Sequence, residues 1–380
     1  MQPFTFTYGP RVLGTATGAA ELPSLLPEGP VLLVTDDQLI GLGLAVPWIA
    51  ALERTRQVVL FSAVEADPSK ATLLAAVDAG REAGVTSIVG FGGGSPMDVA
   101  KLAAYLLGSG DDLDSIWGVE IAVGIKLPLV LIPTTAGTGS EATPISVITV
   151  PGGTKLAVNA RAITADLAIL DPTLTTGLPR HVTAATGIDA MVHAVEAYTS
   201  ARLKNPLSDA LAREALRLLS AHLIRVCEVP DDLTARSAML LGAHLAGVAF
   251  SNAPVAGVHA LAYPLGGLHH LPHGLSNALM LRHVLQHNSA SARELYAELA
   301  EIVAPECAGQ GGQSKCATLI DTLDRMIVES GLKPRLRDHG IKASDIPLLA
   351  SEAMKQQRLL VNNPCPIDEA DAARLYEAAW

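Results

Sequence analysis

The fold of this chain is decided by the stretch Ser87-Ile88-Val89-Gly90-Phe91-Gly92-Gly93-Gly94-Ser95-Pro96-Met97-Asp98, which runs from an apolar segment into a glycine turn. Residues 99–104, which follow the turn, repeat apolar side chains at helical spacing. A short β-rich run, a tight turn and a helix, in that order, predict one unit of a parallel, doubly wound sheet.

The same alternation extends over the amino-terminal half of the chain. Further short β-rich runs, separated by helical stretches, occur at residues 31–34, 58–61 and 129–132. Beyond Pro179, long apolar segments at helical spacing replace them. The predicted fold class is therefore α/β plus all-α, with a Rossmann-like, parallel-sheet dinucleotide-binding domain over residues 1–179 and an all-helical domain over residues 180–380.

The composition excludes several classes of protein. The chain has 380 residues and a formal net charge of −11, without a basic stripe, which argues against a nucleic-acid partner. Its first residues lack the basic and apolar regions of a signal peptide, and no uninterrupted apolar run approaches the roughly 18 residues of a membrane span. Its four cysteines show no CxxC spacing. We expect a cytoplasmic protein that contacts no membrane.

Two glycine turns follow predicted strands and offer backbone amides to an anion. In the first turn residues 92–94 are glycines, Ser95 can cap the following helix and Pro96 suits its first position. The second turn follows residues 129–132 and reads Pro133-Thr134-Thr135-Ala136-Gly137-Thr138-Gly139-Ser140-Glu141. Because open parallel sheets bind ligands at the carboxyl ends of their strands, both turns predict dinucleotide binding. A purely structural turn is the alternative.

An acidic residue follows the earlier strand at residues 31–34. The chain there reads Thr35-Asp36-Asp37. A carboxylate at this place accepts a hydrogen bond from a ribose 2′-hydroxyl and repels a 2′-phosphate, so Asp36 favours NAD over NADP. The alternative is that Asp36 serves a turn or caps a helix.

One aspartate and three histidines form a candidate metal-binding set. Asp189 and His193 are four residues apart and share one face of a predicted helix. His259 and His273 bracket a Pro/Gly stretch that can fold back on itself. One carboxylate with three imidazoles suits Fe²⁺ or Zn²⁺ better than Mg²⁺ or Ca²⁺. Any one of these histidines could be an ordinary hydrogen-bonded residue, so the prediction rests on the set of four.

These segments resemble the iron-containing (group III) alcohol dehydrogenase family over almost the whole chain. The matching residues are 92–95 with Asp98 and Lys101, 133–141, Asp171-Pro172, 187–189 with His193, 250–252, His259 with 264–266, 272–274, and the ending from Asn363-Pro364 to Leu375-Tyr376. The resemblance implies a dehydroquinate synthase-like fold, an active cleft between the two domains and a homodimer or larger homo-oligomer. Its metal ligands fall on Asp189, His193, His259 and His273.

The resemblance also implies a reaction and a set of cofactor contacts. The reaction is hydride transfer between NAD(H), less readily NADP(H), and a small primary or secondary alcohol or aldehyde, with the metal polarising the substrate oxygen. The candidate cofactor-binding residues, which include the first turn, are Asp36, Gly92, Gly93, Gly94, Ser95, Asp98, Thr134, Thr135, Thr138 and Lys155.

The chain departs from the family pattern beside the third ligand. Four residues after His259, where many members carry a histidine thought to assist proton transfer, this chain has Tyr263. A phenol, with an ordinary pKa near about 10, is a weaker base at neutral pH than imidazole. The candidate catalytic residues are therefore Tyr263 and His259.

Other functions on the same fold are the alternatives. A polyol or hydroxyacid dehydrogenase, or a dehydroquinate-synthase-like lyase, would need several Lys, Arg and Asn side chains around a polar substrate, and few occur near the predicted ligands. A non-catalytic nucleotide- or metal-sensing protein would not need the intact ligand and loop residues.

Overall fold

A computed structural model describes residues 3–380. Met1 and Gln2, the first residues of the segment that lacks signal-peptide features, lie outside the described residues. The described chain divides into two compact units. The sheet unit comprises residues 8–135 and 139–175, and the helical unit comprises residues 3–7, 136–138 and 176–380. The division after residue 175 lies close to the boundary that we expect at residue 179.

The sheet unit alternates strands and helices along the chain. Its strands are β1 (Arg11–Gly14), β2 (Val31–Val34), β3 (Val58–Phe61), β4 (Ser87–Gly92), β5 (Gly118–Val119), β6 (Leu129–Pro133), β7 (Ile145–Thr149), β8 (Lys155–Asn159) and β9 (Leu167–Leu170). Its helices are α1 (Gly18–Leu25), α2 (Asp37–Gly41), α3 (Val46–Glu53), α4 (Lys70–Glu82) and α5 (Gly94–Ser109), with 3-10 turns at Leu113–Ser115, Ser140–Ala142, Arg161–Ile163 and Pro172–Thr175. The four strands predicted from the sequence are β2, β3, β4 and β6.

Six of these strands form a parallel sheet in the order β1-β9-β6-β4-β2-β3. From β2 the chain moves outward to β3 and then returns to place β4 on the other side of β2. This reversal makes the carboxyl ends of β2 and β4 the topological switch point, where open parallel sheets bind their ligands. The predicted parallel α/β architecture is confirmed, and Asp36 and the first glycine turn both follow strands at this point.

The central strands are apolar because helices cover both faces of the sheet. β2, β4 and β6 are buried along their whole length. α1 and α3 pack on one face around Trp48, and α4 and α5 pack on the other. Gly90 lets α5 lie close to β4, since a Cβ there would come within 2.6 Å of Leu131 and 2.7 Å of Ala100.

A smaller sheet, which the sequence did not predict, completes this unit. β7 and β8 form an antiparallel hairpin, and β5 pairs with β8 in parallel. The hairpin turns through Gly152 and Gly153 at φ of 90° and 80°, which glycine adopts without strain. Because β7 buries only alternate side chains, it lacks the continuous apolar run that marks the central strands.

The helical unit contains no strand among its described residues. Its helices are α6 (Arg180–Thr199), α7 (Pro206–Glu228), α8 (Leu233–Asn252), α9 (Gly257–His269), α10 (His273–Asn288), α11 (Arg293–Val303), α12 (Gly312–Ser330), α13 (Ile346–Ala353), α14 (Gln357–Leu360) and α15 (Glu369–Ala379), with 3-10 turns at Pro305–Cys307, Leu336–His339 and Ala343–Asp345. The predicted all-helical carboxyl-terminal half is confirmed.

Helix α6 lies at the centre of this unit and packs against α7, α8 and α10. Nearly all of its residues are buried, so its polar side chains must find partners inside the protein. Gly187 permits the close packing, because a Cβ there would approach Leu223 Cδ1 to 2.5 Å and Met239 Cε to 2.8 Å.

Helix α8 is the one helix within residues 3–380 that is long and apolar enough to cross a membrane, with a mean hydropathy of 1.3. Of that apolar window, 67% is buried inside the protein, where α8 packs against α6 and α7. A core helix passes the same length and hydropathy test, and the packing accounts for its composition.

Candidate metal centre and nucleotide-binding turns

The four predicted metal ligands come together in the helical unit. They are Asp189 and His193 on α6, His259 in the first turn of α9, and His273 at the start of α10. The Nε2 atoms of His193 and His259 each lie 3.9 Å from Asp189 Oδ1, and that of His273 lies 3.6 Å away. All four donor atoms are within 4.8 Å of one another. Side chains from three helices therefore converge on one point.

Close helix packing brings His273 to this point. A Cβ on Gly274 would collide with the backbone carbonyl of Ala185 and would lie 3.2 Å from Asp189 Cβ. Only a residue without a side chain therefore allows α10 to begin this close to α6. Because Ala185 precedes Asp189 by one helical turn, the same contact sets the distance between His273 and the carboxylate.

The charge state of the group suits metal binding. Burial raises the pKa of Asp189, but the three imidazoles and a hydrogen bond from Asn277 outweigh this effect and lower it below its ordinary 3.8. Burial lowers the pKa of His193 from 6.5 to about 3, against the opposing effect of Asp189. At neutral pH the carboxylate is thus ionised and the His193 ring is neutral. Both offer electron pairs to a cation without first losing a proton.

The donor set fits a divalent transition metal. Two ligand atoms at about 2.0–2.2 Å from one Zn²⁺ stand at most about 4.4 Å apart. The separations of 3.6 Å and 3.9 Å between the imidazole nitrogens and Asp189 Oδ1 meet this condition, and the widest separation among the four donor atoms, up to 4.8 Å, is only a few tenths of an ångström larger. Three imidazole nitrogens with one carboxylate oxygen suit Fe²⁺ or Zn²⁺, whereas Mg²⁺ and Ca²⁺ favour oxygen shells.

Asn277 is a further polar residue at this centre, and the sequence did not single it out. It is fully buried on α10, with its Nδ2 2.6 Å from Asp189 Oδ1, 3.1 Å from His259 Nε2 and 3.3 Å from His273 Nε2. An amide nitrogen has two hydrogens and cannot donate to three acceptors at once. Its Oδ1 has no hydrogen-bond partner within residues 3–380. The centre therefore presents more acceptor atoms than the surrounding donors satisfy, as a cation site requires.

Glu196 contacts the ligand His259 from the opposite side. This residue lies on α6, and one of its carboxylate oxygens is 2.6 Å from His259 Nδ1. It also accepts hydrogen bonds from the backbone amides of Ala256, at 3.0 Å, and Val258, at 2.6 Å. The sequence reasoning missed Glu196, although a spacing of seven residues from Asp189 places both on one helix face.

Aromatic rings and an arginine surround the ligands. Phe250 stacks on His193 with the ring centres 4.4 Å apart, and the ring centre of Tyr263 lies 6.0 Å from that of His273. The guanidinium of Arg358 lies 5.9 Å from the centre of the Tyr263 ring. The side chain of His273 is 44% exposed, whereas the other three ligands are buried. The centre is therefore accessible on the side of His273.

In the sheet unit, the first glycine turn leads directly into α5. Gly92 has a φ of 150°, and α5 begins at Gly94 with Gly93 as its N-cap and no side-chain cap. The expectation that Ser95 caps this helix and Pro96 opens it is wrong, because the extended backbone of Gly93 already starts the helix two residues earlier. The first amides of α5 thus remain available to an anion.

The surroundings of Gly93 fit the close approach of a phosphate. A Cβ on Gly93 would have no neighbour nearer than Thr135 Oγ1 at 3.7 Å, so packing within the sheet unit does not require glycine there. At Gly92, by contrast, a Cβ would lie 2.8 Å from Pro96. The second turn lies alongside, since the Thr134 amide donates to the Gly92 carbonyl at 2.9 Å. Open space beside uncapped amides is what a pyrophosphate needs.

Asp36 lies at the carboxyl end of β2, at the switch point. Its Oδ1 accepts a hydrogen bond from the Leu39 amide at 2.9 Å and so caps α2, which is the alternative role given above. Asp37 accepts a hydrogen bond from Ser62. Capping does not remove the charge of Asp36, and a carboxylate at this place still disfavours a 2′-phosphate.

Asp98 is engaged within the sheet unit. Its Oδ1 accepts from Ser140 Oγ at 2.6 Å and lies 3.0 Å from Lys101 Nζ, and its Oδ2 accepts from the Val147 amide at 2.9 Å. Lys101 is fully buried and also donates to the carbonyls of Ser140 and Ile145. Burial lowers the pKa of Lys101, and the charge of Asp98 opposes this effect. Asp98 and Lys101 thus tie the end of the second turn to α5.

The remaining predicted cofactor residues occupy different places. Thr134 and Thr135 directly follow the end of β6 in the sheet unit, whereas Thr138 is part of the short segment 136–138 that belongs to the helical unit. Lys155 begins β8, and its Nζ forms an ion pair with Asp67 at 2.6 Å. The structure therefore groups Asp36, the first turn and Thr134 around the switch point, and it places Lys155 against Asp67.

Two family models together match most of the chain. The model for the iron-containing alcohol dehydrogenase matches residues 10–172, and the model for the carboxyl-terminal part of the Fe-containing alcohol dehydrogenase family matches residues 183–380.

Individual relatives cover the chain almost from end to end. Long-chain-alcohol dehydrogenase 1 of Geobacillus thermodenitrificans is 39% identical over 354 residues, 92% of this chain and 89% of that protein. Sulfoacetaldehyde reductase of Bilophila wadsworthia is 32% identical over 370 residues, 96% of this chain and 95% of that protein. The crystal structure of a 1,3-propanediol oxidoreductase has a TM-score of 0.96 at 32% identity and covers 100% of both chains. The chain therefore belongs to the iron-containing alcohol dehydrogenase family.

Proposed function

We propose that this oxidoreductase exchanges a hydride between NAD(H) and a small primary or secondary alcohol or aldehyde, at a centre where Asp189 and three histidines hold Fe²⁺ or Zn²⁺. Alcohol and aldehyde oxidoreduction with a nicotinamide cofactor follows from the family. The observation that supports the metal centre is the convergence of three imidazole Nε2 atoms on Asp189 Oδ1, at 3.6–3.9 Å.

The residues of the centre have separable roles. A bound Fe²⁺ or Zn²⁺ would supply Lewis-acid polarisation of the substrate oxygen. With one carboxylate among four donors, the site itself carries a single negative charge, so a divalent ion keeps positive charge toward the substrate. Glu196 occupies Nδ1 of His259, and we therefore assign His259 to metal binding and not to proton transfer. Tyr263, near the exposed His273, is our candidate for the proton route.

The sheet unit is proposed to bind the nucleotide. The nicotinamide supplies the hydride acceptor or donor of the reaction. The uncapped amides of α5 and the open space at Gly93 support a pyrophosphate site, and the hydroxyl groups of Thr134 and Thr135 lie in the neighbouring turn. We propose NAD over NADP because Asp36 places a negative charge at the switch point.

The direct test combines metal analysis with turnover. Protein purified without chelator is analysed for iron and zinc, and NADH oxidation is followed with a panel of short aldehydes. We expect close to one metal ion per chain and activity that is lost on chelation and restored by Fe²⁺ or Zn²⁺. Full activity of metal-free protein, or of a His273→Ala variant, would contradict the proposal.

A second candidate substrate class is an aldehyde that carries an anionic group. Arg358 is exposed, lies beside Tyr263 and forms no ion pair with a carboxylate within residues 3–380. Arg358 is distant in sequence from the predicted ligands and was not predicted to lie near them. A guanidinium recognises sulfonate and carboxylate by paired hydrogen bonds. If this class is correct, Arg358→Gln will raise KM for a sulfonated aldehyde and leave that for propanal unchanged; equal effects on both contradict it.

The family resemblance also supports a homodimer or larger homo-oligomer located in the cytoplasm. Light scattering coupled to size-exclusion chromatography tests the assembly. A monomer at micromolar concentration contradicts it.

A further inference from the structure

Glu196 is a buried carboxylate without a cationic partner. It is 3% exposed and forms no ion pair with a lysine or arginine in the described part of the chain. A buried ionised carboxylate is costly unless hydrogen-bond donors replace its lost water. Three donors do so here, namely His259 Nδ1 and the backbone amides of Ala256 and Val258. All three belong to the beginning of α9 or to the residue before it.

The hydrogen bond to Glu196 determines which nitrogen of His259 carries the proton. Both oxygens of Glu196 already accept hydrogen bonds from the backbone amides of Ala256 and Val258, so His259 Nδ1 is the donor in the third contact. The Nε2 of a neutral ring is then unprotonated and keeps its electron pair. This same Nε2 lies 3.9 Å from Asp189 Oδ1, on the side of the ligand cluster. Glu196 therefore selects the tautomer of His259 that can bind a metal ion.

The same carboxylate fixes the helix that carries His259. The first amides of an α-helix lack partners within the helix, and the N-cap residue of α9, Ala256, has no side chain to supply one. Glu196 accepts from Ala256 and Val258, and Asn363 Oδ1 accepts from Gly257 at 3.2 Å. A negative charge at a helix N-terminus is also favoured by the helix dipole. Glu196 thus holds both the backbone and the ring of this ligand.

We propose that Glu196 is a positioning residue of the metal centre, which presents His259 Nε2 to the cation by holding its Nδ1 proton and the start of α9. This inference rests on the proposed metal centre. Hydrogen-bonding partners of metal-bound histidines fix ring orientation and increase the basicity of the ligand nitrogen. A carboxylate that only capped α9 would need its two backbone contacts and not the third contact to the ring.

Glu196→Gln tests the proposal, because the amide has the size of the carboxylate but one acceptor atom fewer. With the amide NH₂ toward the ring, His259 turns to the other tautomer and its Nε2 becomes protonated; with the amide oxygen toward the ring, a neutral acceptor replaces the carboxylate and the basicity of Nε2 falls. We expect the affinity of the full-length apoprotein for Zn²⁺, measured by competition with a chromophoric chelator, to fall about 10–100-fold. With Co²⁺ as probe, the visible absorption bands should change in shape as well as in midpoint.

Asn363→Ala is the matched control, since it removes the other cap of α9 without touching the His259 ring. We expect it to lower stability toward urea and to keep Zn²⁺ affinity within about threefold of the parent. Equal losses of Zn²⁺ affinity in the two variants would mean that Glu196 only caps the helix, which overturns the proposal. Unchanged Zn²⁺ affinity in Glu196→Gln overturns it too.

Two further measurements keep the test decisive. If Glu196→Gln does not fold, the tautomer of His259 is read in the parent apoprotein by ¹⁵N NMR of labelled histidine, assigned with His259→Gln; a proton on Nε2 refutes the proposal. The parent and His273→Ala separate the inference from the metal centre itself. Equal Zn²⁺ affinity in the parent and His273→Ala contradicts the proposed metal centre. If His273→Ala loses affinity while Glu196→Gln binds Zn²⁺ normally, only the role of Glu196 is contradicted.

Discussion

The candidate metal centre and the candidate nucleotide-binding turns of this enzyme are built in opposite ways. In the helical unit the functional atoms belong to side chains, and Asp189, His193, His259 and His273 point their donor atoms at one place. In the sheet unit the charged side chains that were predicted to bind the cofactor make hydrogen bonds or ion pairs within the protein. Asp36 caps α2, Asp98 holds Ser140 and Lys101, and Lys155 pairs with Asp67.

This difference indicates which atoms do the binding in each place. If the metal ion binds as we propose, its affinity will depend on donor identity and on the residues that orient the donors. If the nucleotide binds at the switch point, its affinity will depend on backbone amides that glycine leaves accessible, while the side chains around them give the turns their shape. Mutations should therefore act through lost donors in the first case and through steric hindrance in the second.

The largest effect is expected from His273→Ala. Loss of a direct ligand should lower metal affinity by more than the roughly 100-fold upper range seen for residues that only orient ligands, and turnover should fall with it. Because His273 is 44% exposed, the fold should survive the change. Elemental analysis and steady-state kinetics measure both effects. His222→Ala, on α7 and outside the cluster, is the control; similar metal loss in both variants would break the distinction drawn above.

The next effect compares two glycines at the junction of β4 and α5. Gly93→Ala should raise KM for NAD on the order of tenfold without loss of stability, because the added methyl group meets no protein atom nearer than 3.7 Å. Gly90→Ala should lower the free energy of unfolding by about 1–3 kcal/mol, because its methyl group would strike Leu131 and Ala100. Urea titration and cofactor kinetics separate the two. A destabilised Gly93→Ala would show that glycine serves packing there.

A smaller effect is expected at Asp36, where charge and capping can be separated. Asp36→Ser keeps a side-chain oxygen for the Leu39 amide and removes the charge. We expect the preference for NAD over NADP, measured as a ratio of kcat/KM values, to relax on the order of tenfold. Asp36→Ala should relax it similarly and cost about 1 kcal/mol of stability as well. If both variants keep the preference for NAD, Asp36 only caps α2 and does not select the cofactor.

The smallest effect should come from Tyr263. Tyr263→Phe is expected to lower kcat by less than about tenfold, well below the roughly 100-fold that a well-matched acid–base group contributes, because a phenol is a poor base at neutral pH. Tyr263→His should raise kcat at neutral pH. Profiles of kcat against pH for the three proteins measure this. If the phenylalanine variant reproduces the parent profile, the phenol is only part of the pocket wall.

The fold could be predicted where burial leaves a mark on the sequence. β2, β4 and β6 are buried throughout and appear as continuous apolar runs. β3 is an apolar run that is only partly buried, and the buried run of β9 was not predicted as a strand. β7 buries alternate residues and β5 has only two, so neither produces such a run. The start of α5 was misjudged because a backbone conformation, that of Gly93, fixes it and not the side chain of Ser95.

The candidate site divides in the same way. The four candidate metal ligands could be predicted because one aspartate and three histidines are residue types that bind transition metals, and two of them lie four residues apart on one helix. Glu196 and Asn277 were not predicted. The spacing of Glu196 from Asp189 indicates a shared helix face, but neither residue gives a sign of its partner 60 or 88 residues away. Only the packing of α6 against the starts of α9 and α10 shows what these groups contact.

At Gly274, the absence of a side chain controls the position of a candidate metal ligand. The start of α10 touches the backbone of α6 one turn before Asp189, with no room for a Cβ between them. Any larger residue there must push the helix outward and carry His273 with it, while every donor atom stays chemically intact. If the four residues hold a metal ion as we propose, its retention will depend on the distance between two helices at one contact, and a change at Gly274 will alter metal loading without altering a ligand.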